Sequence, residues 1–203
     1  MKLGVAAVIV AAAYFAIVRV AEEKANGLAG GQTFALGPQS RGEWAAFSAL
    51  LQQLRGWGEP DLADALRRLQ ESGGLWVAPR LEGGRSAVYV NASSLVSRVF
   101  VRGDELVPRE IPFPDLDVPE PAQRTFATIR LAGTLFHELQ HYGGLQDEAA
   151  TYDREIDWYY GLRERMLDQL DGEEQHWFEW AVDSAIETAY AAQDRAEGVR
   201  LEP

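Results

Sequence analysis

The chain has 203 residues, carries a net charge of −12 and contains no cysteine. Its length fits one domain with a sizeable core. The excess of 31 acidic over 19 basic residues, with no basic patch, argues against a nucleic-acid partner, because phosphate binding needs a basic surface. Without cysteine, disulfides and thiolate ligands are impossible, so any metal must be bound by histidine, carboxylate or water.

An apolar run at the N-terminus, residues 3–18, predicts a transmembrane helix that extends to residue 21. A helix of about 18 to 19 residues spans roughly 28 Å, which is just enough for a bilayer. A cleaved signal peptide and a buried soluble helix are the alternatives, but charged residues follow the run where a cleavage site needs small ones. Lys2 and the amino terminus predict a single-pass protein with a cytoplasmic N-terminus and its domain outside the cytoplasmic membrane.

Residues 22–41 are predicted to be a linker, because they contain four glycines and no sustained hydrophobic period. Residues 42–203 are predicted to form one α+β domain. Its first part, residues 43–58 and 61–74, has the periodicity of two helices joined as a hairpin.

Three short segments rich in valine and aromatic residues then predict a small sheet, at residues 75–79, 86–91 and 97–102. Whether the third strand continues past Gly103 into residues 105–111 is left open. Four prolines make residues 111–121 an irregular connection. Three helices follow: a motif helix that ends near Gly143, a long helix after Asp147, and a final helix after Asp171.

The motif helix carries the sequence HELQH, residues 137–141. His137 and His141 lie one helical turn apart, so both imidazoles project from the same side and can bind one metal ion. Glu138 is rotated by about 100° from His137, so it can reach a water that the metal activates without itself being a ligand. This pattern predicts a zinc site with His137 and His141 as ligands and Glu138 as general base.

The stretch from HELQH onward, about thirty residues in all, resembles the zincin metallopeptidases. The order of strands before the motif helix is similar as well. The resemblance implies that the motif helix packs under a small sheet, that the edge strand of the sheet binds an extended peptide substrate, and that a third protein ligand lies downstream. It also implies hydrolysis of peptide bonds in a peptide or protein substrate, with Zn2+ as the cofactor.

The third ligand is open between two zincin subgroups. Asp147 stands where metzincins usually have a histidine, and Gly144 fits their spacing, but a helix starts at once where metzincins have an irregular turn. Glu148 opens that helix, as in a gluzincin with a short spacer, and is the preferred ligand; Asp147 then caps the helix. Glu155 is a further alternative. Tyr152 shares a face with Glu148, so it could orient that ligand or bind the reacting oxyanion.

The third histidine of the chain, His176, is expected on the final helix. It could stabilise a tetrahedral intermediate, as a downstream histidine does in some gluzincins, or it could be an ordinary helix residue beside Trp177. The sequence therefore predicts a membrane-anchored zinc peptidase. A membrane-tethered binding or scaffold domain with a structural or vestigial zinc site is the alternative from another class. A structural site needs both histidines and a fourth protein ligand, but it does not need Glu138.

Overall fold

The computed structural model describes residues 16, 19–20, 23, 35–81, 85–93, 96–107 and 118–198. These ranges form an α+β domain with six helices and one four-stranded sheet, which confirms the predicted fold class. The predicted membrane anchor, residues 3–21, lies almost entirely outside the described residues and stays a prediction. Within the ranges that are described, no helix is both long enough and apolar enough to cross a membrane.

The predicted helical hairpin is present as helices α1 (Arg41–Gly56) and α2 (Pro60–Glu71), which pack against each other. Helix α1 begins with a capping box. The N–H of Glu43 donates to Ser40 Oγ at 3.1 Å, and the N–H of Ser40 donates back to the Glu43 carboxylate at 3.0 Å. Both backbone groups would otherwise lack a helical partner, so this pair of residues sets where the helix starts.

The sheet contains strands β1 (Ala35–Leu36), β2 (Leu75–Ala78), β3 (Ala87–Ser93) and β4 (Val96–Arg102), in the spatial order β1-β2-β4-β3. Strands β2 and β4 are parallel, and the other two pairings are antiparallel. The short strand β1 lies within residues 22–41, the predicted linker. Strand β3 forms one edge of the sheet, so half of its backbone groups face away from β4.

The chain does not continue as a strand after β4, because helix α3 (Gly103–Leu106) follows directly. The Arg102 guanidinium donates to Asp104 and to Glu105, both at 2.6 Å, which favours a tight turn over an extended chain. Arg130 also binds Glu105, at 2.8 Å, and ties this turn to the helix that carries the HELQH motif.

The three predicted C-terminal helices are α4 (Glu120–Tyr142), α5 (Glu148–Leu167) and α6 (Gly172–Ala196). Helix α4 packs against β3 and β4 and also against α5 and α6, so it is the central element of the domain. Its buried apolar side chains join the hairpin, the sheet and the last two helices into one core; they include Phe126, Ile129, Leu131, Ala132 and Leu135. The predicted proline-rich connection lies mostly outside the described residues, which resume at Val118.

Candidate metal centre

Helix α4 buries both histidines of the motif and the glutamate between them. His137 is 5% exposed, and Glu138 and His141 are each 8% exposed. Polar side chains with so little exposure lose their hydration, so they need hydrogen-bond or ionic partners inside the protein. The partners of these three side chains define the site.

A glycine turn after α4 supplies the first partner. Gly144 has a φ of +104°, a conformation that residues with a Cβ rarely adopt. The N–H of Leu145 donates to the carbonyl of Gln140 at 3.0 Å and closes the turn. As a result, the carbonyl oxygen of Leu145 lies 2.7 Å from His141 Nδ1.

Helix α5 begins just beyond this turn and brings Glu148 to the histidine pair. Glu148 Oε1 lies 3.4 Å from His137 Nε2, and its Oε2 lies 3.0 Å from His141 Nε2. The two Nε2 atoms are 3.2 Å apart. Asp147 instead caps α5, since its Oδ1 accepts the N–H of Ala150 at 2.9 Å. Of these two adjacent acids, the structure brings Glu148 to the histidines.

The group formed by His137, His141 and Glu148 could hold a metal ion, because its candidate ligand atoms all lie within 4.8 Å of one another. In a tetrahedral site with ligand bonds of about 2.0–2.1 Å, neighbouring ligand atoms are roughly 3.3 Å apart. The two Nε2 atoms are 3.2 Å apart, which is close to that value, and each lies 3.0 to 3.4 Å from a different oxygen of the Glu148 carboxylate. Two imidazoles and one carboxylate are a donor set that zinc and other divalent transition-metal ions accept.

The hydrogen bonds at the two Nδ1 atoms leave both Nε2 atoms available to a metal. A carbonyl oxygen can only accept, so the contact with Leu145 assigns the hydrogen of His141 to Nδ1. His137 Nδ1 lies 3.0 Å from Glu155 Oε2, which favours the same tautomer. Contacts of this kind commonly orient histidines that bind metals.

Glu155 belongs to a buried polar arrangement behind His137, on the side away from Glu148. Its Oε1 accepts the hydroxyl of Tyr159 at 3.1 Å, and Tyr159 is only 1% exposed. Burial, together with the nearby charge of Glu155, raises the pKa of Tyr159 well above its usual value, so the phenol stays a donor. Gly133 makes room for this ring, because a Cβ there would lie 1.9 Å from the Tyr159 hydroxyl.

Glu138 lies beside the metal-binding group and contacts the edge strand of the sheet. Its Oε2 accepts the N–H of Tyr89 at 2.5 Å. Burial raises the pKa of the Glu138 carboxyl, while the neighbouring histidines and the Tyr89 N–H act in the opposite direction. A carboxyl whose pKa is raised towards neutrality can take up and release protons more readily than an exposed one.

The site opens into a cavity of about 810 Å³ between the start of β3 and helices α4, α5 and α6. Tyr152 lines this cavity, and its ring centroid lies 4.5 Å from that of His137. Burial, reinforced by the charges of Glu148 and Glu155, raises the pKa of Tyr152 to about 12. The phenol is therefore protonated at neutral pH and can donate a hydrogen bond.

Comparisons of this chain with protein-family models, with curated proteins and with solved structures found no match. The likeness to zincins therefore depends on HELQH and the segment that follows it. Any function has to be supported by the geometry of the site itself.

The structure does not bring His176 to this site. It is exposed on α6, where its ring meets the ring of Trp177 edge-on. Conversely, sequence reasoning missed the contacts of Tyr89 and Tyr159. Tyr159 could have been found from its spacing, because it follows Glu155 by one helical turn. Tyr89 left no such signal, since it is 49 residues from Glu138 along the chain.

Proposed function

We propose that this chain is a zinc-dependent peptidase in which Glu138 is the general base. The observation that supports this most is the buried carboxylate of Glu138 in the same cavity as His137, His141 and Glu148. Structural zinc sites are closed by four protein ligands. Among the described residues this group has three, and the Glu148 side chain is 51% exposed, so a coordination position is open to water or substrate.

A zinc ion, when bound, supplies Lewis-acid polarisation of the substrate carbonyl and of a water molecule. The role of Glu138 is to accept a proton from the attacking water and to pass it to the leaving amine. Its raised pKa suits both steps, because the carboxyl can hold the proton between them. Its contact with the Tyr89 N–H fixes the carboxylate beside the metal-binding group.

Tyr152 is the residue proposed to stabilise negative charge on the substrate. Its ring packs on that of His137, and its high pKa keeps the hydroxyl protonated at neutral pH. A donor held at this position can bind the carbonyl oxygen as it gains charge during attack, an effect that is large in a site with little water.

The free edge of β3 is proposed to bind the peptide backbone. The N–H of Tyr89 points away from β4 towards Glu138, so that of Ala87, two residues earlier, faces the same outer edge. Both residues line the cavity. An extended peptide can add to such an edge as an extra strand, which would carry a scissile bond past the histidines.

Elemental analysis of the purified full chain tests the metal. We expect about one zinc per chain, lost when His137→Ala and His141→Ala are combined, because both imidazole ligands disappear. His176→Ala is the matched control, since it removes the exposed histidine and should leave the zinc content unchanged. Retention of full zinc by the double variant would contradict this site.

Glu138→Gln tests the mechanism, because an amide keeps the shape of the side chain but is a poor base. At equal zinc loading, cleavage of a peptide library should fall by at least ~100-fold. Glu120→Gln is the matched control, as it makes the same change on the exposed first turn of α4. Equal activity of wild type and Glu138→Gln would refute the mechanism, and a zinc-loaded wild type that cleaves nothing would favour the scaffold alternative.

A further inference from the structure

Two arginines that line the cavity have no partner among the described residues. Arg195 lies in the last turn of α6, and Arg85 precedes β3. In the part of the chain that the structure describes, neither side chain forms an ion pair or a hydrogen bond with another residue. An unpaired guanidinium that faces a cavity is available to a ligand.

Most other arginines of the C-terminal helices form ion pairs in this acidic chain. Arg124, Arg130, Arg163 and Arg165 each pair with a carboxylate. Acidic residues are also missing at helical spacing in the sequence, because the positions three and four residues from Arg195 are Ala191, Ala192, Gly198 and Val199. Helix α6 therefore provides no acidic partner for the guanidinium of Arg195 at the cavity wall.

The end of α6 that carries Arg195 is fixed against the start of α5. The Gln193 side chain donates to Asp153 Oδ1 at 2.6 Å, two residues before Arg195. Tyr152 and Arg195 line the same cavity, and the charge of Arg195 partly opposes the effect of burial, which raises the pKa of Tyr152. Thr188 and Ala192, on the same face of α6, are small and leave space beside the guanidinium.

The charges that line the cavity balance one another, whereas the whole chain is strongly acidic. Three carboxylates, Glu138, Glu148 and Glu155, and three guanidinium groups, including that of Arg130, line it. Arg130 is already paired with Glu105. The three carboxylates therefore face the two remaining guanidinium groups, those of Arg85 and Arg195. A bound divalent ion would then leave the cavity with a small excess of positive charge, although the chain carries −12. Local fields of this kind attract anionic ligands.

Resting on the proposed function, we infer that Arg195, assisted by Arg85, binds a carboxylate of the peptide substrate. A guanidinium presents parallel N–H donors that match the two oxygens of a carboxylate. The carboxylate is either the C-terminal α-carboxylate or the side chain of an aspartate or glutamate, and both offer the same planar pair of oxygens. The substrate class is thus acidic or C-terminal peptides.

Binding to the zinc-loaded full-length Glu138→Gln protein tests this inference without requiring cleavage. The probes are three N-acetylated alanine-based hexapeptides: one with a free C-terminal carboxylate, one amidated, and one amidated with an internal glutamate. We expect one acidic probe to bind at least ~10-fold more tightly than the neutral amide. The probe that gains affinity identifies the source of the carboxylate.

The same measurement with Arg195→Gln added should abolish that preference, and Arg85→Gln should reduce it. Arg68→Gln is the matched control, because it removes an exposed arginine of α2 that does not line the cavity. A preference that survives Arg195→Gln would mean that the carboxylate binds the metal or another group, and it would overturn the inference. Equal affinity for all three probes, or no measurable binding of either acidic probe, would also overturn it. A wild type that cleaves no peptide would instead contradict the proposed function alone.

Discussion

The two sides of the His137 ring differ in burial and in chemistry. Behind the ring, Nδ1 meets Glu155, whose side chain is 8% exposed. In front of it, Nε2 meets Glu148, whose side chain is 51% exposed. Both glutamates belong to α5 and lie seven residues apart, on the same helical face. One helix thus provides a carboxylate that is part of the core and another that remains accessible to ligands.

This difference has an energetic reason. A buried carboxylate loses its hydration, and it is tolerated only when donors replace the lost water. Glu155 has two such partners, the ring of His137 and the hydroxyl of Tyr159. Glu148 stays hydrated on one side, so little has to be rearranged when it binds a metal. The comparison teaches that Glu155 is part of the hydrogen-bonded core, whereas Glu148 is placed where it could bind a ligand.

Replacement of Glu155 or Glu148 by alanine should give the largest difference in stability between two variants. Glu155→Ala leaves His137 Nδ1 and the Tyr159 hydroxyl buried without a partner, so the free energy of unfolding should fall by about 3 kcal/mol. Zinc affinity should also fall, by about 10- to 100-fold, because the ring is no longer oriented. Glu148→Ala should weaken zinc binding at least as much, yet leave the stability of the metal-free protein within about 0.5 kcal/mol of wild type.

Denaturant unfolding of the metal-free proteins and zinc titration measure these two effects separately. Glu164→Ala is a suitable control, because it removes an exposed glutamate from the same helix. If Glu148→Ala destabilised the metal-free protein as much as Glu155→Ala, the division of roles between the two carboxylates would be wrong.

Gly133→Ala should disturb only the buried side of the His137 ring, where Glu155 and Tyr159 lie. The added Cβ would lie 1.9 Å from the Tyr159 hydroxyl, so the ring must move away from Glu155. Overpacking of this kind costs about 1–3 kcal/mol, and Tyr159 has little space to move in a core where it is 1% exposed. We expect a loss of about 2 kcal/mol in unfolding free energy, measured against Gly143→Ala at the exposed end of α4. Equal stability of the two variants would contradict the close packing of Tyr159 on Gly133.

Most of the fold could be predicted because its signals are local. The periodicity of α1, α2, α4 and α5, and the glycines and aspartates between helices, mark elements that the structure contains. Strand β1 could not be predicted, since its two residues form a strand only by pairing with β2. The helix after Arg102 could not be predicted either, because it depends on contacts of Arg102 and Arg130 with Glu105.

The candidate site also combines residues that local patterns predict with contacts that depend on tertiary packing. Helical spacing within HELQH and the cap at Asp147 were sufficient to bring His137, His141 and Glu148 together in the prediction. The contact between Glu138 and the N–H of Tyr89 depends on how α4 packs on the sheet, which no local pattern encodes. The sequence therefore predicted the residues of the motif turn and of the helix start that follows it, but not the contacts that tertiary packing supplies.

Tyr159→Phe removes the hydroxyl and keeps the ring, so it should reduce the stability less than Gly133→Ala does. The ring still fills its space, but Glu155 loses one donor. Loss of one hydrogen bond to a buried charged group costs about 1.5 kcal/mol, or about 3–6 °C in melting temperature for a chain of this size. Tyr160→Phe, which changes the exposed neighbouring tyrosine, is the control. Identical melting temperatures for the two variants would show that the hydroxyl does not stabilise Glu155.

The stability of the metal-free protein should depend on pH, because the groups around the His137 ring have shifted pKa values. Burial lowers the pKa of His137, but the hydrogen bond and charge of Glu155 outweigh it, so the pKa lies above its ordinary 6.5. A histidine with a raised folded-state pKa contributes stability that is complete below 6.5 and is lost as pH rises through the folded value. Burial raises the pKa of Glu138 above 4.5, so ionisation of this carboxyl also costs stability as pH rises.

Both groups therefore predict that the metal-free protein becomes less stable as pH rises from about 4.5 to beyond 6.5. Zinc should reverse the trend, because its ligands must be deprotonated and its affinity increases with pH. Melting temperatures across this range, with and without zinc, should diverge, and NMR titration should find the His137 pKa above 6.5 in the wild type and lower in Glu155→Gln. A His137 pKa that did not fall in Glu155→Gln would mean that the carboxylate behind the ring does not control its charge. The other carboxylates that act on this ring, those of Glu138 and the accessible Glu148, would then have to control its charge, which would remove the distinction between the two sides of the ring.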